Sequence, residues 1–408
     1  MSNRERQHFE AFGEHTLLKH MILDKYLKAW ARKILLWGGA GDQVWFVDAF
    51  AGEGSDRVGN PGSPVIASNI AKGVLVERGA TATGEAPMRV LAIERNRNAF
   101  ARLQTKLKPF IDHKPRIAAA RKGTLHDYLA DFIGHIDNAP ALFFLDPCGV
   151  QGLNVDDLPT LMAGPHNEVF ALFSDVGAHR LHATLATPER DREYEIQKIL
   201  AAPSLFPDWD AEKIEEVEAS VEASNEALRA TREAAERILT EALRAEALPE
   251  VTEAPREERM AVLTKIFARR LQEAGALHVL SFPVRNRTNA RVYQLVHGSK
   301  SKQGLRTMKE SMSAALSLSD LPESARDAIS FEVAIETSQV IEDVRQHFHG
   351  RTTVRWTQGK DRDVDTIKRY LLEETPVFPT QLTEIREALA TAGHIVSRRP
   401  VVFSFPDS

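Results

Sequence analysis

Three apolar runs that each end on a carboxylate constrain this chain more than any other feature. Val44-Trp45-Phe46-Val47 leads to Asp48, Val90-Leu91-Ala92-Ile93 to Glu94, and Ala141-Leu142-Phe143-Phe144-Leu145 to Asp146-Pro147. Short, nearly continuous apolar runs read as strands buried on both faces, the usual composition of a parallel sheet. An acid at the end of each places all three at the carboxyl edge, where open α/β sheets take their ligands. Asp48 runs into Ala49-Phe50-Ala51-Gly52-Glu53-Gly54, and small residues with two glycines let a backbone approach a ligand closely. Arg116–Ala119 and Glu168–Phe173 are further candidate strands. The intervals carry helical patterns, which suits right-handed βαβ crossovers.

The organisation divides into five stretches. Residues 1–42 read as N-terminal helices, because Phe9, Phe12, Leu17, Leu18, Met21, Ile22, Tyr26, Leu27 and Trp30 recur at helical spacing. Residues 43–207 form the α/β core. From 208 to 255 the composition turns to Glu, Ala, Arg and Leu, with no Gly or Pro between Asp210 and Ala247. Apolar Ile214, Val217, Val221, Leu228, Ile238 and Leu239 recur there between Pro207 and Pro249, so a charged helix or helical pair is expected. It is either a solvated arm with one packed face or a docking arm. Residues 256–325 resume the core with a helix at Val262–Ala274 and strands at Leu277–Phe282 and Arg291–Val296. The loop from Pro283 to Asn289 has a length compatible with an antiparallel hairpin. In 326–408, helices at Thr337–Phe348, Val364–Glu374 and Thr380–Ala392 precede strands at His394–Ser397 and Val401–Phe405. That order predicts a winged-helix-like module. Its basic and acidic residues nearly balance, with Glu384 and Glu387 on the helix that would do the reading.

Composition narrows the class. No apolar run approaches the ~20 residues that span a bilayer, and Met1–Gln7 is polar with no signal core, so a cytoplasmic protein is expected. The single cysteine, Cys148, excludes an intrachain disulfide and a cysteine-cluster metal site. A net charge of −5 gives no global attraction to phosphate, so nucleic acid would need a local patch.

Several of these stretches together resemble one family. They are Leu17–Leu27, Asp48-Ala49-Phe50-Ala51-Gly52, Gly62-Ser63-Pro64, Ile93-Glu94-Arg95, Leu145-Asp146-Pro147 with Cys148-Gly149, and Val292–Gly298 leading to Gly304 and Met308-Lys309. As a set they are similar to the three-Cys-motif partner proteins, which have a class I methyltransferase-like fold. The resemblance implies a Rossmann-like α/β sheet closed by an antiparallel strand pair. It also implies S-adenosylmethionine as cofactor and a cysteine-motif protein as partner. The cofactor residues it implies are Asp48, Ala49, Phe50, Gly52 and Gly54 in the first loop, Glu94 for the ribose hydroxyls, and Thr124 beside the adenine. Asp146-Pro147 would hold a target amine. The aromatic residue that usually follows in amino-methyltransferases is replaced by Cys148-Gly149, so base methylation does not follow.

Each site residue keeps a second reading. Asp48 is either a cofactor carboxylate or an acid capping a local turn. Glu94 is either a ribose ligand or a surface acid paired with Arg95 or Arg97. Its distance from the glycines exceeds the roughly 20 residues of a dinucleotide site, and loops at Gly59–Pro64 and Gly79–Pro87 would account for the excess. Asp146-Pro147 is either catalytic or a tight turn. Ser174-Asp175 with His179, Arg180 and His182 either line the substrate side or are solvated. Three functions remain: a methyltransferase acting on or with nucleic acid (DNA or RNA), a cofactor- or nucleotide-binding subunit that transfers nothing, and an unrelated α/β enzyme such as a nuclease. No nucleophile elbow or phosphate-loop motif supports the last.

Overall fold

A computed structural model describes residues 3–38, 42–55, 59–79, 85–136, 138–147, 150–174, 184–185, 187–201, 207–255, 258–285, 291–316, 337–357, 366–375, 377–398 and 401–406. Helix α1 (Asn3–Arg32) precedes β1 (Val44–Asp48), α2 (Ser63–Glu77), β2 (Met88–Glu94), α3 (Arg97–Ile111), β3 (Ala118–Lys122), α4 (Leu125–Ile136), β4 (Ala141–Leu145), α5 (Leu158–Leu161) and β5 (Glu168–Ser174). The strands assemble in the order β3-β2-β1-β4-β5 and pair in parallel. The chain is thus a mixed α/β protein with a mostly parallel, Rossmann-like sheet.

The sheet is completed by β6 (His278–Arg285) and β7 (Arg291–Ser299), an antiparallel pair in which β7 lies beside β5. Glu168 opens β5 and hydrogen-bonds His297 and Ser299 at the end of β7. β7 therefore runs against β5. The third strand extends to Lys122 rather than stopping at Ala119, because Val90 to Glu94 offer a full ladder to Ala118 through Lys122.

Alternation along the strands sorts the core. Val44 and Phe46 of β1, Val90 and Ala92 of β2, and Leu142 and Phe144 of β4 face one cluster with Leu27 of α1, Ala71 of α2 and Leu103 of α3. All of these are fully buried, and each large apolar side chain contributes ~1.5–3 kcal/mol. Helix α1 packs against α2 and against α10 (Lys302–Leu316), whose label follows α6 to α9 below. Packed in this way, α1 carries Lys19 to the carboxyl edge of the strands and Tyr26 and Trp30 to the amino edge.

Residues of Pro147–Val155 and Phe173–Phe267 form a second compact unit. It contains α6 (Arg192–Ala201), α7 (Pro207–Leu243), α8 (Leu248–Glu253) and most of α9 (Arg259–Glu273). The charged stretch is one helix of 37 residues, not a pair. Its buried stripe of Val221, Ala235, Leu239 and Ala242 recurs every third or fourth residue or a multiple of that spacing. Asn225 clamps the Arg190 backbone, accepting its N–H at 2.8 Å and donating to its carbonyl at 3.0 Å.

After α10 come α11 (Thr337–His347), β8 (Arg351–Arg355), α12 (Ile367–Glu374), α13 (Leu382–Thr391), β9 (Ile395–Arg398) and β10 (Val401–Phe405). A three-stranded sheet in the order β8-β10-β9 closes over Val344, Phe348, Leu371, Ile385 and Phe403. Lys309 of α10 is fully buried and donates to the carbonyls of Leu372 at 2.9 Å and of Thr375. It thereby satisfies orphan carbonyls at the end of α12. Burial holds its pKa down to about 7. Among the described residues no helix is long and apolar enough to cross a membrane.

Candidate functional site

The loop after β1 is held from both sides of that strand. Ala49 N–H donates to the Phe144 carbonyl at 3.1 Å and Ala51 N–H to the Ile93 carbonyl at 2.9 Å. Gly52 follows at φ +57°, a left-handed conformation that costs an L-residue. Its N–H donates to Glu94 Oε2 at 2.9 Å. A Cβ built at Gly52 would meet nothing of the described chain within 4 Å, so the space above the loop is open. Gly54 differs: its Cβ would stand 3.1 Å from Leu103 Cδ1 and 3.3 Å from Lys106 Cβ, so this glycine allows α3 to pack close.

Asp48 is completely buried at the end of β1. Its Oδ1 accepts the Phe50 amide at 3.1 Å, and its Oδ2 has no hydrogen-bond partner among the described residues. Burial lifts its pKa from 3.8 to about 7; the Ser63 hydroxyl and the Phe50 amide pull it back, Asp146 adds to the rise and Lys19 opposes it. An unsatisfied buried acceptor costs ~1–3 kcal/mol, so its place beside an open loop is informative.

Glu94 is oriented by backbone. Its Oε2 takes the Gly52 N–H and its Oε1 the Asn96 N–H at 2.5 Å, and it pairs with neither Arg95 nor Arg97. The surface-pair reading of Glu94 therefore falls away. The Gly123 N–H donates to the Glu94 carbonyl at 3.1 Å, which brings the loop after β3 alongside. There Thr124 opens α4 as a cap, its N–H and hydroxyl both donating to Asp127 Oδ2 at 2.7 and 2.8 Å.

Asp146 ends β4 and forms an ion pair with Lys19 of α1, the two side chains being 17% and 16% exposed. Burial alone would lower the Lys19 pKa, but Asp146, Tyr293 and Asp48 together raise it. Lys19 is thus a fixed cation between two carboxylates. Pro147 follows as a buried residue. Cys148-Gly149, Asp175, His179, Arg180 and His182 lie outside the described residues, and Ser174 is described by its backbone alone. Among the described residues no group of three or more His, Cys, Asp or Glu is placed to hold a metal.

The sequence motif Leu17–Leu27 contains Lys19 without assigning it a role. The signal was present: Lys19, Ile22, Leu23 and Tyr26 stand at i, i+3, i+4 and i+7, so the lysine shares the stripe that buries. A charge on a buried stripe needs a partner. Sequence did not say that the partner is Asp146.

No family model matches the chain, and no curated protein matches it. Among solved structures, a conserved hypothetical protein of Streptococcus pyogenes is similar at 18% identity over 38% of this chain and 78% of that one, with a TM-score of 0.22. A geranyl diphosphate methyltransferase in complex with GPP and sinefungin is similar at 13% identity over 67% of this chain and 78% of its own, also with a TM-score of 0.22. Likenesses this slight leave the reading of the site to its own geometry.

Proposed function

We propose that the carboxyl edge of the sheet binds S-adenosylmethionine, and that the chain is a methyltransferase-like protein working on or with nucleic acid beside a cysteine-motif partner. The observation that carries the cofactor reading is the buried, unpartnered Oδ2 of Asp48 next to a loop opened by Gly52. When bound, S-adenosylmethionine supplies a methyl group activated on a sulfonium. Ala49, Phe50, Gly52 and Gly54 keep the first loop low, and Glu94, fixed by two backbone donors, retains lone pairs for a pair of ribose hydroxyls. Thr124, next to Glu94, is assigned the adenine side.

Charge supports the same reading. Asp48, which burial keeps protonated below about pH 7, stands beside the Lys19–Asp146 ion pair. A ligand amine cation beside Oδ2 favours ionised Asp48, so uptake of the cofactor expels a proton. Lys19 holds Asp146 in a fixed place at the edge, and Asp146-Pro147 would position a target amine, where geometry matters more than basicity.

A second reading rests on the same ion pair. With Lys19 already on Asp146, the carboxylate is less available to an amine, which favours a cofactor-binding subunit that transfers nothing. The C-terminal succession of α11, β8, α12, α13, β9 and β10 supports a winged-helix-like module, to which we assign the nucleic-acid or partner contact.

Calorimetric titration with S-adenosylmethionine, followed by methyl transfer to nucleic-acid and protein substrates, separates the readings. Binding that tightens as pH rises through about 7, and that Asp48→Asn weakens at least tenfold, is expected. Unchanged affinity in Asp48→Asn and Glu94→Gln would sink the cofactor site. Binding without transfer to any substrate favours the subunit.

A further inference from the structure

The opposite, amino edge of the sheet holds a cavity of about 300 Å³ that the cofactor reading does not use. Its walls come from the end of α1 and the turn after it, from the residues before β5 and its first residue Glu168, and from Ser299, Lys300, Ser301, Gln303 and Gly304 at the junction of β7 and α10. Glu168 is the carboxylate among its lining residues, and it is fully engaged. It accepts from the Tyr26 hydroxyl, from His297 Nε2 at 2.9 Å and from Ser299 Oγ at 3.0 Å. Tyr26 and His297 are entirely buried. Gly304 permits this arrangement, since a Cβ there would stand 2.4 Å from Ser299 Oγ and 2.5 Å from Glu168 Oε1.

The remaining wall groups are donors in excess. Trp30, 3% exposed, lines the cavity with its ring, and its buried indole N–H has no partner among the described residues. Lys33 donates to Thr307 Oγ1 at 2.6 Å, and among the described residues no carboxylate forms an ion pair with it. Lys300 reaches the Ala163 carbonyl at 3.4 Å, the edge of hydrogen bonding. His166 stands at the exposed rim. Two lysines and the first turn of α10 line one space in which the single carboxylate is already bonded. Such a wall is complementary to an anion rich in acceptors.

We propose that this cavity is a second ligand site, for the phosphate group of a small phosphomonoester. The segment runs from strand through a short turn into the first turn of α10, whose dipole favours an anion, while Gly298 and Gly304 serve packing against Leu271 and against Ser299 and Glu168. It is not a triphosphate loop, because Gly304 is followed by Leu305-Arg306 rather than the lysine and hydroxyl that hold a terminal phosphate and its magnesium. Roughly 300 Å³ is the lower end of small-molecule pockets, which fits a single phosphate with a compact organic group against Trp30 and Ile34.

The test uses the full chain. Adenosine 5′-monophosphate, ribose 5-phosphate and orthophosphate are titrated by calorimetry, with adenosine and ribose as the dephosphorylated controls. At least one phosphorylated probe is expected to bind a hundredfold or more tighter than its control. Lys33→Gln with Lys300→Gln should abolish that preference, Lys33→Arg should retain most of it, and the thermal midpoint should change little. S-adenosylmethionine affinity, read on the same variants, should be unaffected, so this site and the cofactor site fail separately. Equal binding of phosphorylated and dephosphorylated probes overturns the proposal. So does a double lysine variant that keeps the preference.

Discussion

The two edges of one sheet handle buried acids in opposite ways. At the amino edge Glu168 is saturated, with Tyr26, His297 and Ser299 all donating to it. At the carboxyl edge Asp48 is equally buried but has one oxygen unpartnered, and its pKa is driven up to about 7. A saturated acid stiffens the packing of α1 on β5 and β7. An unsaturated one stores a cost that a ligand can relieve. The difference teaches where to look for cofactor chemistry: at the acid left unfinished rather than at the larger polar cluster.

The sharpest break of this comparison is Glu168→Ala. Three buried donors lose their acceptor at once, so a loss of ~3–5 kcal/mol is expected in urea unfolding, by analogy with the breaking of a buried charged network. A loss below ~1 kcal/mol would place Glu168 on the same footing as Asp48 and remove the contrast.

Asp48 should respond with the reverse sign. Its folded pKa, about 7, lies above the unfolded 3.8. The stability tied to its protonated form is therefore complete below pH 3.8 and is lost as pH rises through 7. That interval corresponds to ~4 kcal/mol at most. Asp48→Asn should flatten the stability profile between pH 4 and 8 and be more stable than the parent at pH 8. A parallel profile in parent and variant would show that Asp48 titrates normally.

The ion pair at the carboxyl edge gives an intermediate effect. Lys19→Met leaves Asp146 and Asp48 facing each other uncompensated, and Asp146→Asn leaves a buried cation. Each single change should cost ~2–3 kcal/mol, and the double change less than their sum. Additive losses in the double-mutant cycle would mean that the two do not act as a pair.

The smallest expected effect on stability comes from Gly52→Ala, ~1–2 kcal/mol for forcing a Cβ into the left-handed region. Because that Cβ points into space empty of protein, cofactor affinity should fall tenfold or more. Gly54→Ala meets Leu103 and Lys106 instead and should cost more stability than Gly52→Ala, with the smaller loss of affinity. Equal affinity losses in both would mean that the loop, and not its open face, is what the ligand reads.

Local chemistry made much of the carboxyl edge legible. A four-residue apolar run ending in Asp48, and another ending in Glu94, can only be buried strands whose acids emerge at an edge, because the period of the side chains leaves no polar face. Gly52 announced a backbone that needs a positive φ or a close approach. Helix α7 was legible as helix from its composition, although one helix and two were indistinguishable until the absence of a break near its middle was seen. The amino edge was not legible. Tyr26, Glu168 and His297 are separated by 142 and 129 residues along the chain, and nothing local marks them as partners.

By itself, then, the sequence determined the parallel strands, the carboxylates at their ends and the glycines that open the first loop, since all of these follow from periodicity and backbone sterics within a few residues. Tertiary structure alone decided that α1 crosses the sheet edges, that Lys19 closes on Asp146 rather than leaving it to a ligand, and that Asp48 retains an empty lone pair. Those outcomes depend on which distant side chains share one low-dielectric space, where the energy of a charge is set by neighbours that no local pattern can name.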